Sequence, residues 1–198
     1  PVNSYSSIGE YNQDVAKHNE KFEAQYADIT GDRLIEMGES VFLAECKVCH
    51  GLTADGIDGT AANLNVRLEK NVVKHVIENG SNYQLLGMEM PMPDRNGLFN
   101  SNTGEPITDA EIDLVSTYVA NGFTGDGADA YAGTCATCHG PDGMGTSFGP
   151  NLAKFDTQLV VNVLNHGKKG PIGKMPAFNR LNNKQKEAVA AYVSSLVE

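Results

Sequence analysis

The sequence lacks the features that mark several common protein classes. The 198 residues include no tryptophan and only four cysteines, and no apolar run is long enough to span a bilayer. Basic residues are scarce, since 15 lysines and arginines stand against 25 aspartates and glutamates, for a formal net charge of −10. This charge argues against nucleic acid as a partner, because binding to phosphates depends on basic side chains.

All four cysteines lie in two copies of one motif, Cys46–His50 and Cys135–His139, each reading Cys-x-x-Cys-His. This is the attachment motif of a c-type haem: two thiols one helical turn apart bond to the vinyl groups, and the histidine supplies an imidazole to the iron. A bare Cys-x-x-Cys pair also occurs in thioredoxin-like motifs and zinc sites. The histidine after both pairs favours two covalently bound haem c groups. The predicted cofactor-binding residues are Cys46, Cys49, Cys135 and Cys138, and the predicted proximal iron ligands are His50 and His139.

A Met-Pro pair follows each motif and predicts the second axial ligand, because a thioether is the usual partner of histidine on a cytochrome c iron. In the second half we expect Met175 to bind the second haem iron, since Met144 lies too near the motif. A haem with two histidine ligands, using His75 or His166, is a less favoured alternative.

The first half offers three candidates, Met88, Met90 and Met92. Aligning the two halves matches the segment 92–98 with 175–181 at Met, Pro, Asn and Leu. The alignment favours Met92 as the ligand of the first haem iron and leaves Met90 as the alternative.

The two halves are an internal repeat of one helical unit. Gly38 and Gly127 each lie eight residues before a motif, and Phe42 and Tyr131 take equivalent places. Each half closes with a matching segment, 117–119 or 191–193. We expect the glycine and the aromatic residue of the first helix to let the last helix of the half, with its tyrosine, cross closely.

Helix-capping signals and the absence of convincing strand alternation predict an all-α fold class. Capping boxes at Thr108–Glu111 and Asn182–Gln185 each open a helix, the first running to about residue 121. Asp156 caps a helix that Gly167 ends, and its counterpart runs from Leu68 to Asn79.

The predicted organisation is two tandem cytochrome c-type domains, residues 32–123 and 124–198, behind a polar N-terminal arm, residues 1–31. The Gly-rich linker 121–127 is too short to let the domains roam, so we expect the two haems to lie close together. Because the chain begins at Pro1, we expect a processed or truncated product. An unexplained loop, 96–106, interrupts the first half.

Each proximal histidine needs an acceptor for its second ring nitrogen. In the second half Pro150 is placed to offer its carbonyl group, and Ala62 stands at the same position in the first half. His/Met ligation leaves no open coordination position, which favours outer-sphere electron transfer and predicts no catalytic residue. A dihaem peroxidase is the enzyme to exclude, and the two Met-Pro pairs argue against it.

Beyond the motifs, the chain resembles the dihaem subunit of cbb-type haem–copper oxidases. The resemblance rests on the arm (Ile8–Asn12 through Phe22–Tyr26), the order of the two haem domains, and the segment Gly167–Pro176. It implies a subunit that takes electrons from a soluble cytochrome c and passes them to a monohaem subunit and the oxygen-reducing centre. A membrane anchor precedes the arm in that family.

Haem attachment to this motif occurs outside the bacterial cytoplasm, so we expect a periplasmic protein tethered to the inner membrane. Two other functions stay open: a free periplasmic dihaem carrier, and the cytochrome subunit of a periplasmic dehydrogenase. The arm of thirty polar residues before the first haem helix favours the oxidase subunit over a free carrier.

Overall fold

The structure is a computed structural model that describes residues 7–81 and 92–197. These residues are mostly helical, as predicted. None of the described helices combines the length and the apolar character needed to cross a lipid bilayer. The helices are α1 Ile8–Gln25, α2 Gly31–Glu45, α3 Lys47–His50, α4 Lys70–Asn79, α5 Asp109–Ala120, α6 Ala128–Thr134, α7 Ala136–His139, α8 Thr157–His166 and α9 Asn183–Ser195.

Local capping chemistry sets the helix ends where the sequence predicts them. The capping boxes at Thr108 and Asn182 are both complete. The side chain of each cap residue accepts a hydrogen bond from the backbone N–H of the residue three positions later, and the side chain of that residue accepts one from the backbone N–H of the cap. Asp156 caps α8 by accepting from two backbone N–H groups. Helix α4 begins at Lys70, two residues later than predicted.

Two short hairpins were missed by the sequence analysis. Strands β1 (Phe99–Asn100) and β2 (Glu105–Pro106) pair antiparallel, as do β3 (Lys168–Lys169) and β4 (Lys174–Met175). Two-residue strands are too short to show an alternating pattern, so periodicity could not reveal them.

The β1–β2 hairpin lies in the unexplained loop 96–106 and packs against α6. The Ser101 N–H donates to the Gly133 carbonyl over 2.9 Å, and the Asn102 amide donates to the Asp129 carbonyl over 3.3 Å. Asn100 is buried and its side chain donates to Glu111 over 2.7 Å. The loop therefore joins the start of α5 to the helix that leads into the second Cys-x-x-Cys-His motif.

The most extensive helix contact crosses the boundary between the two halves, whereas α4 packs on α5 and α8 on α9 within a half. Helix α2 packs most extensively against α9, and α6 packs against α5. A Cβ built on Gly38 would overlap the Ala188 carbonyl group and lie 2.8 Å from Tyr192 Cβ, and one on Gly127 would lie 2.6 Å from Tyr118 Cβ. The predicted close crossings at these glycines occur, but the prediction that the partner helix belongs to the same half was wrong.

Helix α1 occupies most of the predicted arm and buries none of its residues. Its contact with the rest of the chain includes a hydrogen bond from the Asn183 N–H to Glu23 Oε1, over 2.8 Å, at the start of α9. Phe22 and Tyr26 stack against each other with ring centroids 4.5 Å apart.

The α2–α9 crossing predicts that Gly38→Ala is strongly destabilising. The new methyl group would overlap the backbone of α9, and overpacking of this kind costs about 1–3 kcal/mol. Gly9→Ala in exposed α1 is the control, because its Cβ would meet only Ser7 Oγ at 3.6 Å. Urea unfolding should show a lower midpoint for Gly38→Ala and an unchanged or higher one for Gly9→Ala. Equal midpoints for the two variants would contradict the crossing.

The capping box of α5 predicts a pH-dependent contribution from Glu111. Hydrogen bonds from the Thr108 backbone, the Thr108 hydroxyl and the Asn100 amide hold the pKa of Glu111 below its usual range. Its stabilisation is therefore present above the unfolded-state pKa of about 4.3 and is lost as the pH falls through the lower folded-state pKa. Glu111→Gln should lose less stability than the wild type between neutral and strongly acid pH, measured by urea unfolding. Glu20→Gln on α1 is the control and should lose as much stability at acid pH as the wild type. If the free energy of unfolding fell equally with pH in both variants, this role of Glu111 would be contradicted.

Candidate haem sites

The two motif histidines have the same hydrogen-bonding arrangement. His50 Nδ1 lies 2.9 Å from the Ala62 carbonyl and His139 Nδ1 lies 3.0 Å from the Pro150 carbonyl, which confirms both predicted acceptors. A carbonyl oxygen can only accept, so Nδ1 carries the proton and Nε2 keeps its lone pair. Both rings are buried, and each therefore presents one oriented nitrogen suited to an iron ion.

The surroundings of His139 keep its ring neutral. Burial lowers the pKa of His139, the nearby positive charge of Arg67 also lowers it, and the hydrogen bond to Pro150 opposes the shift. A neutral imidazole is the form that binds a metal ion, so the site is prepared for ligation at physiological pH.

The cysteines stand at matching junctions between a longer helix and a one-turn helix. Cys46 is the cap residue between α2 and α3, and Cys135 is the cap residue between α6 and α7. The His50 N–H donates to the Cys46 carbonyl over 2.9 Å, and the His139 N–H to the Cys135 carbonyl over 3.0 Å. This single turn places the two cysteines of each motif one helical turn apart, with the histidine directly after the second.

The chemistry of the thiols argues against the alternative functions of a Cys-x-x-Cys pair. All four cysteines are free, and burial raises the pKa of Cys46 to about 11 and that of Cys135 to about 12. Thioredoxin-like motifs instead lower the pKa of the attacking thiol. Within residues 7–81 and 92–197, no three His, Cys, Asp or Glu side chains converge as they would in a zinc site. The residues present thus fit a covalently bound haem better than either alternative.

The two Met-Pro segments share one local framework. Met175 lies in β4 opposite Lys168, and Met92 forms an isolated antiparallel bridge with Ser81. Gly80 caps the end of α4 and Gly167 caps the end of α8, both with positive φ. A Cβ on Gly80 would lie 2.8 Å from the Met92 carbonyl oxygen, and a Cβ on Gly167 would lie 2.5 Å from the Met175 carbonyl oxygen. Both methionines are half-buried. The alternatives Met88 and Met90 lie outside the described residues.

The aromatic residues predicted to be equivalent, Phe42 and Tyr131, are both fully buried beside a motif. The Phe42 ring centroid lies 6.4 Å from that of His50 and 5.3 Å from that of Tyr192. The Tyr131 hydroxyl donates to the Gly140 carbonyl over 2.8 Å, directly after the second motif. These rings hold each motif against the helix that crosses it.

Arg67 is a site residue that the sequence analysis missed. Its Nε donates to the Lys154 carbonyl over 2.9 Å, its Nη2 donates to the Asn151 carbonyl over 3.0 Å, and its guanidinium lies 5.0 Å from the centroid of the Phe155 ring. Burial lowers the pKa of Arg67 to about 10, which the charge of Asp156 partly opposes. No motif or periodicity marks this arginine, because its partners are backbone carbonyls more than eighty residues away.

A mostly helical chain with two Cys-x-x-Cys-His turns, oriented histidines and matching Met-Pro segments defines a c-type cytochrome. The profile of the family described as cytochrome C oxidase, cbb3-type, subunit III, matches residues 124–193. The cbb3-type cytochrome c oxidase subunit CcoP of Helicobacter pylori (strain 52) is 35% identical, over 99% of this chain and 70% of that protein. The CcoP subunit of Cereibacter sphaeroides is 27% identical, over 80% of this chain and 60% of that protein.

The chain belongs to the CcoP family of cbb3-type cytochrome c oxidase subunits. Membership implies a c-type cytochrome that carries covalently bound haem c. A more distant similarity, 25% identity over 87% of this chain and 67% of the relative, connects it with the cytochrome bc1 complex cytochrome c subunit of Mycobacterium tuberculosis (strain CDC 1551 / Oshkosh).

Proposed function

We propose that this chain is a dihaem electron relay within a cbb3-type oxidase. It takes electrons from a soluble periplasmic cytochrome c and passes them to the monohaem and catalytic subunits. The observation that carries the proposal is the duplication of the complete donor set: two oriented imidazoles, two pairs of free thiols and two methionines held in the same local framework.

Each residue has a defined role in this proposal. The haem supplies one-electron redox chemistry when bound, and the protein holds it, orients it and shields it from water. His50 and His139 would bind the two irons through Nε2, and Met92 and Met175 would supply the second protein ligands. The covalent attachment points are Cys46, Cys49, Cys135 and Cys138. With a second protein ligand, each iron would offer substrate no open position, so the haems would exchange electrons through the outer sphere and the chain would perform no catalysis by itself.

The charge of the chain fits such a partner. A net charge of −10 attracts a basic soluble donor over long range and raises the rate of encounter. The resemblance to CcoP further supports a periplasmic location and a membrane anchor ahead of the arm, residues 1–31. Helix α1 then spaces the two repeat halves, 32–123 and 124–198, from that membrane.

A second candidate function is a cytochrome subunit on the electron-donating side of a respiratory chain. The similarity to a cytochrome bc1 complex subunit favours it, because that relative is matched over most of this chain. The higher identity to the CcoP subunits favours the oxidase.

The duplicated donor set predicts two haems per chain, each dependent on its own motif. Intact mass spectrometry of the holoprotein should give the polypeptide mass plus two haems. The double variant Cys46→Ser/Cys49→Ser should retain one haem, and Cys135→Ser/Cys138→Ser should retain the other, as counted by pyridine haemochrome per chain. A wild-type mass that corresponds to a single haem would contradict the dihaem proposal, even if the cysteine variants failed to fold.

The oxidase assignment predicts where the chain is found in native membranes. After mild solubilisation and native separation, it should migrate with b-type haem, copper and oxygen-reducing activity. Recovery with a quinol-oxidising complex would favour the second candidate function. Recovery in the soluble fraction would contradict both and indicate a free carrier.

A further inference from the structure

We propose that the soluble electron donor docks on the surface around the first Cys-x-x-Cys-His motif, and that this donor is a small c-type cytochrome with a basic surface. The proposal rests on the relay function proposed above and adds the place where electrons enter. The surface, here called the entry face, combines three exposed apolar side chains with three carboxylates: Val48, Leu52 and Val66, and Asp55, Asp58 and Glu69.

The apolar side chains of the entry face are exposed to solvent and lie on neighbouring segments. Val48 is 76% exposed, Leu52 69% and Val66 43%. The segments of Leu52 and Val66 are held together because the Asn65 side chain donates to the Thr53 carbonyl over 2.9 Å. Exposed apolar side chains that lie together mark surfaces that bind other proteins. The entry face therefore has the apolar centre that a docking surface needs.

The second motif shows that a turn of this kind does not require these apolar side chains. Thr137 stands at the place of Val48 in the second copy, and Pro141 at the place of Leu52. The two motifs nevertheless form the same one-turn helix and the same hydrogen bond from the histidine ring. Because the local structure is satisfied without them, Val48 and Leu52 are explained by a contact outside the chain.

The carboxylates of the entry face lie directly beside the first motif. Gly51 follows the motif, and a Cβ on it would lie 2.6 Å from Asp55 Oδ1. Asp55, Asp58 and Glu69 line one cleft. None of the three forms an ion pair within the part of the chain that the structure describes. Their negative charges are therefore available to a cationic partner.

The distribution of charge favours a basic partner at the first motif over the second. Residues 45–69 contain four acidic and two basic residues, whereas residues 136–174 contain two acidic and four basic residues. Arg67, one of the two basic residues of the first stretch, donates to the Asn151 and Lys154 carbonyls. Complementary charge steers association and suppresses wrong partners. A basic cytochrome is therefore directed to the first motif.

The position of Val48 suits a site of electron entry. It lies between Cys46 and Cys49, the two residues that would bond to the first haem. A protein seated on Val48 would therefore approach the porphyrin across a single turn of backbone. Electrons could enter there while the haem stays enclosed.

The second motif has exposed apolar side chains of its own, Met144 and Phe148. Their segment lies over that motif, since the Thr146 hydroxyl donates to the Cys138 carbonyl over 2.6 Å. The surrounding residues 136–174 are basic on balance and would repel a basic donor. This surface is therefore a matched control, because it is apolar, exposed and beside a haem motif but has the opposite charge.

The test measures the binding of zinc-substituted mitochondrial cytochrome c, a basic and redox-inactive probe, to the full-length holoprotein carrying both haems. The dissociation constant is taken from zinc-porphyrin fluorescence during titration. Val48→Lys should raise it about tenfold, because the new cation would face the basic surface of the probe. Phe148→Lys adds the same charge at the second motif and should raise it less than about twofold near 0.1 M salt, where distant charges are screened.

Two further variants separate the apolar and the acidic contributions. Asp55→Asn/Asp58→Asn should weaken binding severalfold at low salt, and its difference from the wild type should disappear at high salt, since salt screens charges between proteins. Val48→Thr copies the residue of the second motif and should weaken binding at both salt concentrations. The pyridine haemochrome content of each variant checks that the motif still forms.

An equal or stronger effect of Phe148→Lys than of Val48→Lys would overturn the proposal and place the donor at the second motif. Absence of binding by the wild type would overturn it as well. So would failure of Val48→Lys to assemble into the native oxidase complex, because the entry face would then be a contact between subunits. None of these results alters the haem count or the native migration of the wild type, which test the relay function separately.

Discussion

The arrangement of both candidate sites depends on the guanidinium of Arg67, a half-buried residue. It donates to two backbone carbonyls of a segment more than eighty residues away and packs on the Phe155 ring. Removing it would leave the Asn151 and Lys154 carbonyls without these donors, and a hydrogen bond of this kind contributes about 0.5–1.5 kcal/mol. This contact joins the segment that follows the first motif to the segment that follows the second, and so holds the surroundings of the two motifs together.

The close helix crossings complete the same framework. Gly38 brings α2 against the backbone of α9, and Gly127 brings the start of α6 against α5. Because α2 leads into the first motif and α6 into the second, neither motif can move without disturbing a helix of the opposite half. A relay that passes electrons between two irons benefits from such interleaving, since a fixed framework keeps the distance between the irons constant. Interleaved helices therefore hold the two halves at a fixed separation more rigidly than a short linker between two separate domains would.

Local features of the fold and sites could be predicted from the sequence, and the choice of partners could not. Capping boxes, motif turns and the carbonyl acceptors of His50 and His139 depend on residues close in sequence. The partner of α2 does not: α5 and α9 carry the same Tyr-Val pair at their ends, so the repeat offers two equivalent crossings. The short linker determines which of the two crossings forms. It lets Phe123 pack between Tyr118 and Tyr131, with ring centroids 5.7 and 5.4 Å away, and so keeps α6 beside α5 and leaves α9 to cross α2.

The two halves of the sequence repeat therefore do not fold as two separate units in this chain. The family profile matches residues 124–193, a stretch that contains the second motif and Met175. The α9 helix of that stretch packs on α2, which leads into the first motif and lies outside the matched residues. A fragment limited to the profile would therefore leave α9 without the helix that it crosses most extensively.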